Sequence, residues 1–163
     1  MLAKLYTYDS TAPKLFAAAK EKIKKVLPNA EIEHVGSTAI PGLGGKGMID
    51  ILVAISDWEE KTAALKTLGS LGFTHVNPER DGYIFLSRIG ETEKNDVHLH
   101  LTSVGSAEYH NLLDFRNYLL GHPEEVGRYA ALKETWLKDA NGDRKLYGHF
   151  KNDYITNLLN QSK

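Results

Sequence analysis

His34-Val-Gly-Ser-Thr-Ala-Ile-Pro-Gly-Leu-Gly-Gly-Lys-Gly-Met-Ile-Asp-Ile-Leu-Val53 is the stretch on which the fold turns. A β-type run, Glu31 to Val35, breaks at Gly36-Ser37, and a glycine-rich loop leads into the apolar run Met48 to Ile55. That run carries one charge, Asp50. A charge inside an apolar strand requires a partner, a metal or a ligand. A Gly-Ser turn can bring bare backbone N–H groups up to an anion. The pair points to a phosphate-handling site, against the plainer reading of a strand-ending turn with Asp50 neutralised by Lys46 or Arg88.

Two phosphate motifs fail here on context. Gly42-Leu-Gly44-Gly-Lys-Gly47 matches G-x-G-x-x-G, but a dinucleotide fingerprint must open a helix, and these glycines lead into a strand. A Walker loop fails too, because Ile40 stands where its first glycine belongs and Gly47 replaces the magnesium-holding hydroxyl.

Outward from this stretch, Pro13 through Leu27 has a helical apolar face, with proline suited to the first turn and Pro28 to the stop. Ser56-x-x-Glu59 reads as a capping box opening a second helix that Gly69 to Gly72 closes. Phe73–Val76, Tyr83–Arg88 and Val97–Thr102 read as strands, and Ala107–Leu120, Pro123–Lys138 and Arg144–Leu159 as helices. A mixed sheet followed by a C-terminal helical segment is an α+β layout. With 163 residues and no internal linker, a single domain over 1–163 is expected.

His98-Leu-His100 places two imidazoles on one face of a strand, with Val97, Leu99 and Leu101 on the other. Such a pair can chelate a metal, bind phosphate or carry protons; the plain alternative is the wet face of a half-exposed strand. The outcome depends on whether this strand lies beside that of Asp50. Lys46, Arg80 and Arg88 could supply positive charge to a phosphate pocket. Tyr147-x-x-x-Lys151 shares one helix face, where it could also simply cover the sheet edge.

The formal net charge of −1 argues against broad nucleic-acid binding. The absence of cysteine removes disulfides, thiolate metal sites and a cysteine nucleophile. No apolar run approaches membrane-spanning length and the N-terminus lacks a signal-peptide pattern, so a cytoplasmic protein is the expectation.

Several of these stretches together resemble the GrpB family: His34-Val-Gly-Ser-Thr-Ala-Ile-Pro-Gly-Leu43, Lys46, Ile49-Asp-Ile-Leu-Val53, His98-Leu-His100 and Phe115-Arg-Asn-Tyr-Leu-Leu-Gly-His-Pro-Glu124. Tyr129-x-x-Leu-Lys133, Tyr147-x-x-x-Lys151 and the opening Tyr8-Asp with Pro13 and Phe16 continue it, with Ala12 in place of the usual tryptophan. The resemblance implies a nucleotidyltransferase-superfamily fold; a similar domain is fused to dephospho-CoA kinase in some bacteria. That superfamily has a Gly-Ser turn, then two carboxylates one residue apart on the next strand, then a third on a later strand. Gly36-Ser37 and Asp50 match, Leu52 stands at the second carboxylate, and histidines occupy the late strand.

The expectation is metal-dependent nucleotidyl or phosphoryl transfer to a small acceptor, with Asp50, His98 and His100 as catalytic and metal-holding residues and magnesium or manganese as the cation. Gly36, Ser37, Thr38, Lys46, Arg88 and Lys151 would hold a nucleotide or another phosphate-bearing small molecule. The alternatives are a non-catalytic module of the same fold that binds a nucleotide or CoA-like phosphate, and an accessory domain docking onto a metabolic enzyme through its C-terminal helices.

Overall fold

A computed structural model describes residues 5, 7–45, 48–89 and 97–161. Lys46 and Gly47, which the sequence reading placed in the glycine-rich loop, lie outside them. Among the described residues five α-helices and five strands follow one another as α1 (Ala12–Val26), β1 (Glu31–Val35), β2 (Ile49–Ile55), α2 (Lys61–Gly69), β3 (His75–Val76), β4 (Tyr83–Arg88), β5 (Val97–Ser103), α3 (Ala107–Gly121), α4 (Pro123–Asp139) and α5 (Arg144–Gln161). The sheet order is β1-β2-β5-β4-β3. Among the described residues only β2 and β5 run parallel; the other pairs are antiparallel. The architecture is the expected mixed sheet with helices, α+β.

The strand alternation sorts side chains between two layers. Ile51, Val53, Leu99, Leu101, Ile84 and Leu86 pack on Ala19 and Ile23 of α1 and on Ala64 and Leu68 of α2. Each of these strand residues is at most 3% exposed, so this face of the sheet is the main core. The opposite face looks toward α3, α4 and α5. A second cluster joins Leu119 and Tyr129 of those helices to Ile40 and Leu43 of the glycine-rich loop. The loop is thereby anchored to the helical layer, with Ile40 and Leu43 no more than 2% exposed.

Local chemistry differs from the sequence reading at two places. The second helix is not opened by Ser56: the Asp57 carboxylate accepts the Glu59 N–H at 3.0 Å and caps a 3-10 turn, Trp58–Glu60, from which α2 continues. Aspartate one residue later fits the orphan amide and displaces the serine. The strand expected over Phe73–Val76 is reduced to His75–Val76, because the Phe73 N–H is bound to Leu68 O at the end of α2 and its ring is buried in the core.

Elsewhere the punctuation acts as the residue types dictate. Asp81 and Gly82, both at positive φ, turn β4 back through the reciprocal Arg80–Tyr83 bonds. Ser106 Oγ accepts the Tyr109 N–H to open α3, and the Asp143 carboxylate accepts the Lys145 and Leu146 N–H groups at the start of α5. Among the described residues no helix is long and apolar enough to cross a membrane.

Candidate functional site

The parallel pairing of β2 with β5 sets Asp50 opposite His98 and Leu52 opposite His100. The histidine strand therefore does lie beside the aspartate strand, and both imidazoles share its face. His100 Nε2 is 3.0 Å from Asp50 Oδ1, and His98 Nδ1 is 3.8 Å from the same oxygen. The partner of Asp50 is thus His100; Arg88, the alternative raised by the sequence, points away.

On the other side of His100, Nδ1 is 2.9 Å from the Tyr83 hydroxyl of β4. One tautomer satisfies both contacts: Nε2–H donates to Asp50, and Nδ1 accepts the Tyr83 O–H. The three side chains form a continuous hydrogen-bonded chain across three neighbouring strands. Phe85 stands edge-on to both imidazoles, 4.9 Å from His98 and 5.5 Å from His100, and holds their orientation.

Charge follows from this packing. Burial pushes the Asp50 carboxyl up, but the His100 hydrogen bond and the favourable electrostatics of the neighbouring His100, His98 and Lys151 outweigh it. The net effect is a carboxyl held below its ordinary value, ionised at neutral pH. Burial raises the Tyr83 phenol, with Glu108 and Asp50 adding to the shift, so Tyr83 keeps its proton and remains a donor.

These groups open onto a cleft of about 620 Å³ between the sheet and the C-terminal helices. Gly36, Ser37, Asp50, Tyr83 and His100 form its sheet side; Glu108, Phe115, Tyr129 and Lys151 are among the helical residues facing them. Gly36 has φ +74°, and a Cβ there would lie 2.6 Å from Asp50 Oδ2. Only glycine lets the turn run this close to the carboxylate. The chain then enters a short 3-10 turn, Ser37–Ala39.

Of the residues singled out by sequence, Gly36, Ser37, Asp50, His100 and Lys151 meet in the cleft, with His98 beside Asp50 but outside its lining. Lys151 faces the cavity rather than capping the sheet edge, while Tyr147, one turn earlier, is buried. Thr38 is turned away: its hydroxyl lies 2.9 Å from His34 Nε2 and is nearly enclosed. Arg88 falls on the α1–α2 face by strand alternation, its guanidinium 5.2 Å from the centre of the Phe73 ring. Lys46 lies outside the described residues.

Lys133, Tyr83 and Glu108 were not assigned roles by the sequence. Lys133 is the most informative of them, a lysine 3% exposed whose Nζ donates to Ser37 Oγ at 2.8 Å and Gly44 O at 2.7 Å. Its signal was its place one turn after Tyr129 on a helix face that continues to Trp136. Tyr83 was readable as a face-mate of Phe85, pairing across the strands toward the histidines.

The donor set does not fit a two-magnesium site. Magnesium favours oxygen ligands in octahedral array. Leu52, on the same face as Asp50, is fully buried and contributes no ligand where a second carboxylate would stand. Asp50 Oδ1 is instead shared by two imidazoles, and among the described residues no group of three His, Cys, Asp or Glu side chains is arranged to hold a metal ion.

The chain is similar to known proteins in sequence and in fold. A family model described as GrpB protein matches residues 3–161. UPF0157 protein BH1888 of Halalkalibacterium halodurans is 31% identical over 160 residues, covering 97% of this chain and 81% of that protein. The crystal structure of conserved protein GrpB from Enterococcus faecalis superposes with a TM-score of 0.79 at 22% identity, covering 97% of this chain and 96% of that one. A cytoplasmic RNA terminal U-transferase superposes with a TM-score of 0.55 at 18% identity, over 81% of this chain and 42% of that one. The fold is nucleotidyltransferase-like.

Proposed function

This chain belongs to the GrpB family, and from that membership together with its cleft we propose that it binds a phosphate-bearing small molecule, a nucleotide or nucleotide-derived ligand, between the sheet and the C-terminal helices. One observation carries the reading: the Gly36-Ser37 turn, Lys151 and the Asp50–His100–Tyr83 chain converge on a single cleft. The turn brings backbone close to the cavity at a residue with no side chain to shield it. Lys151 adds a positive charge at the same wall. A cleft of about 620 Å³ is of small-ligand size rather than a track for a polymer. The formal net charge of −1 supports the same choice.

A second reading, nucleotidyl or phosphoryl transfer to a hydroxyl acceptor, is favoured by the hydrogen-bonded chain. As an acceptor oxygen bonds to phosphorus and the donor's leaving oxygen departs with its electron pair, the acceptor's proton must be taken up. Asp50, through His100, is the anionic end of a chain placed to handle such a proton. The lone carboxylate makes binding the primary reading.

The test is a thermal-shift series with inorganic phosphate and nucleoside mono-, di- and triphosphates, each with EDTA, Mg²⁺ or Mn²⁺. A ligand at 100 times its dissociation constant adds about 2.7 kcal/mol of stability, a readily measured rise in Tm. Phosphate-bearing ligands should raise Tm in the native chain and less in Lys151→Ala. A Tm that no phosphate compound moves would overturn the reading. Turnover of a labelled nucleoside triphosphate that disappears in Asp50→Asn, with binding retained, would move the assignment to transfer.

A further inference from the structure

We infer that Lys133 is a positioning residue that fixes the Ser37 hydroxyl as a hydrogen-bond donor into the cleft. The inference rests on the reading of the Gly36-Ser37 turn as the phosphate end of the site. Lys133 lies on α4, outside the residues lining the cavity, and is 3% exposed. Its ammonium donates to Ser37 Oγ at 2.8 Å and to Gly44 O at 2.7 Å, above the ring of Tyr129 at 5.2 Å.

An ammonium has hydrogens to give and no lone pair to accept with. Ser37 Oγ is therefore the acceptor in this contact, and its own proton must point elsewhere. Gly45 packs against the other side: a Cβ there would stand 3.0 Å from Ser37 Cβ, so the loop backbone comes this close to the serine only because residue 45 has no side chain. Ser37 itself lines the cleft. A hydroxyl held this way donates to oxygens that only accept, the ionised oxygens of a phosphate chain. The same ammonium ties the turn to the Gly44 carbonyl, holding two points of the glycine-rich loop against α4. A buried charge is costly unless satisfied, and here it is used to preset a neighbouring donor.

Inorganic tripolyphosphate is the probe, because it presents phosphate oxygens and no base or sugar. Its affinity is measured by calorimetry for the native chain, Ser37→Ala, Lys133→Met and the double variant. Each single change should weaken binding roughly tenfold or more, the scale of one hydrogen bond to a charged group. The double variant should be no weaker than Ser37→Ala, since Lys133 acts through that hydroxyl. Additive losses would mean that Lys133 meets the ligand itself or acts only on stability, and would overturn the inference; unchanged affinity in Lys133→Met would do the same.

Should Lys133→Met not fold, the Lys133 ammonium resonance is followed by NMR in the native chain. It should shift on adding tripolyphosphate and lose that shift in Ser37→Ala; a silent resonance in the native chain overturns the proposal. Native protein that binds no tripolyphosphate removes this inference, and the phosphate reading falls with it only when no nucleotide moves Tm either; binding without coupling removes this inference alone.

Discussion

At Gly36 a single hydrogen is all that fits beside the Asp50 carboxylate. Two costs meet there: positive φ strains any L side chain, and an added methyl would press on Asp50 Oδ2 at 2.6 Å. Gly36→Ala should lower stability by more than about 1 kcal/mol and weaken tripolyphosphate binding, read by urea unfolding and calorimetry. A variant of native stability and affinity would show that the turn yields freely. At this scale the sequence was legible where a residue type is unusual in its surroundings, as with Asp50 in an apolar strand or a glycine before serine. Thr38 and Arg88 lie away from the cleft, because a 3-10 turn sets the Thr38 hydroxyl against His34 and strand alternation sends Arg88 to the α1–α2 face. Lys133, quoted only as part of the family pattern, had no readable role because its partners, Ser37 and Gly44, are 96 and 89 residues away along the chain.

Elements were legible through periodicity, and most begin and end near their punctuating residues. The exceptions are local contests for one amide, Asp57 over Ser56 at α2 and the end of α2 over β3 at Phe73. What periodicity could not give is how the helices close over the sheet. Arg116 of α3 supplies much of that link, donating to Glu33 Oε2 at 2.7 Å and to the His34 carbonyl at 3.0 Å. Tyr109, two turns earlier, donates to Glu31 Oε2 at 2.6 Å. All three acceptors belong to β1, so α3 is held along the strand that leads into the Gly36-Ser37 turn. Arg116→Ala should cost about 1 kcal/mol, a modest figure because Glu33 is partly exposed. It should also speed amide hydrogen exchange in α3 more than in α1. Uniform exchange across both helices would show that the contact does not hold the helical layer locally.

Across the whole molecule, stability should depend on pH through His34. This imidazole stacks on Phe16 of α1 at 4.7 Å and meets Thr38, so it lies between the first helix and the turn. Burial lowers its pKa to about 4; Asp50 opposes the shift and Arg116 adds to it. The unfolded chain has its ordinary value near 6.5 and binds the proton first. This contribution to stability is therefore complete above about pH 6.5, declines as pH falls, and levels off below about pH 4. Replacing the imidazole, as in His34→Gln, should flatten that part of the curve in denaturant titrations between those limits. A slope unchanged by the substitution would assign it to other groups.

The parallel seam between β2 and β5 makes the site a late product of folding. Asp50 and His100 are 50 residues apart in sequence and touch only when these central strands are aligned. Closing so long a loop carries an entropic cost that local hairpins avoid, so their contact belongs to the later, non-local part of assembly. A shift of one residue in either strand would turn Asp50 or both imidazoles toward the opposite face. A collapsed state with near-native helical content but a misaligned seam would therefore lack the chemistry of the cleft. Ligand affinity is thus a stricter assay of correct strand alignment than circular dichroism.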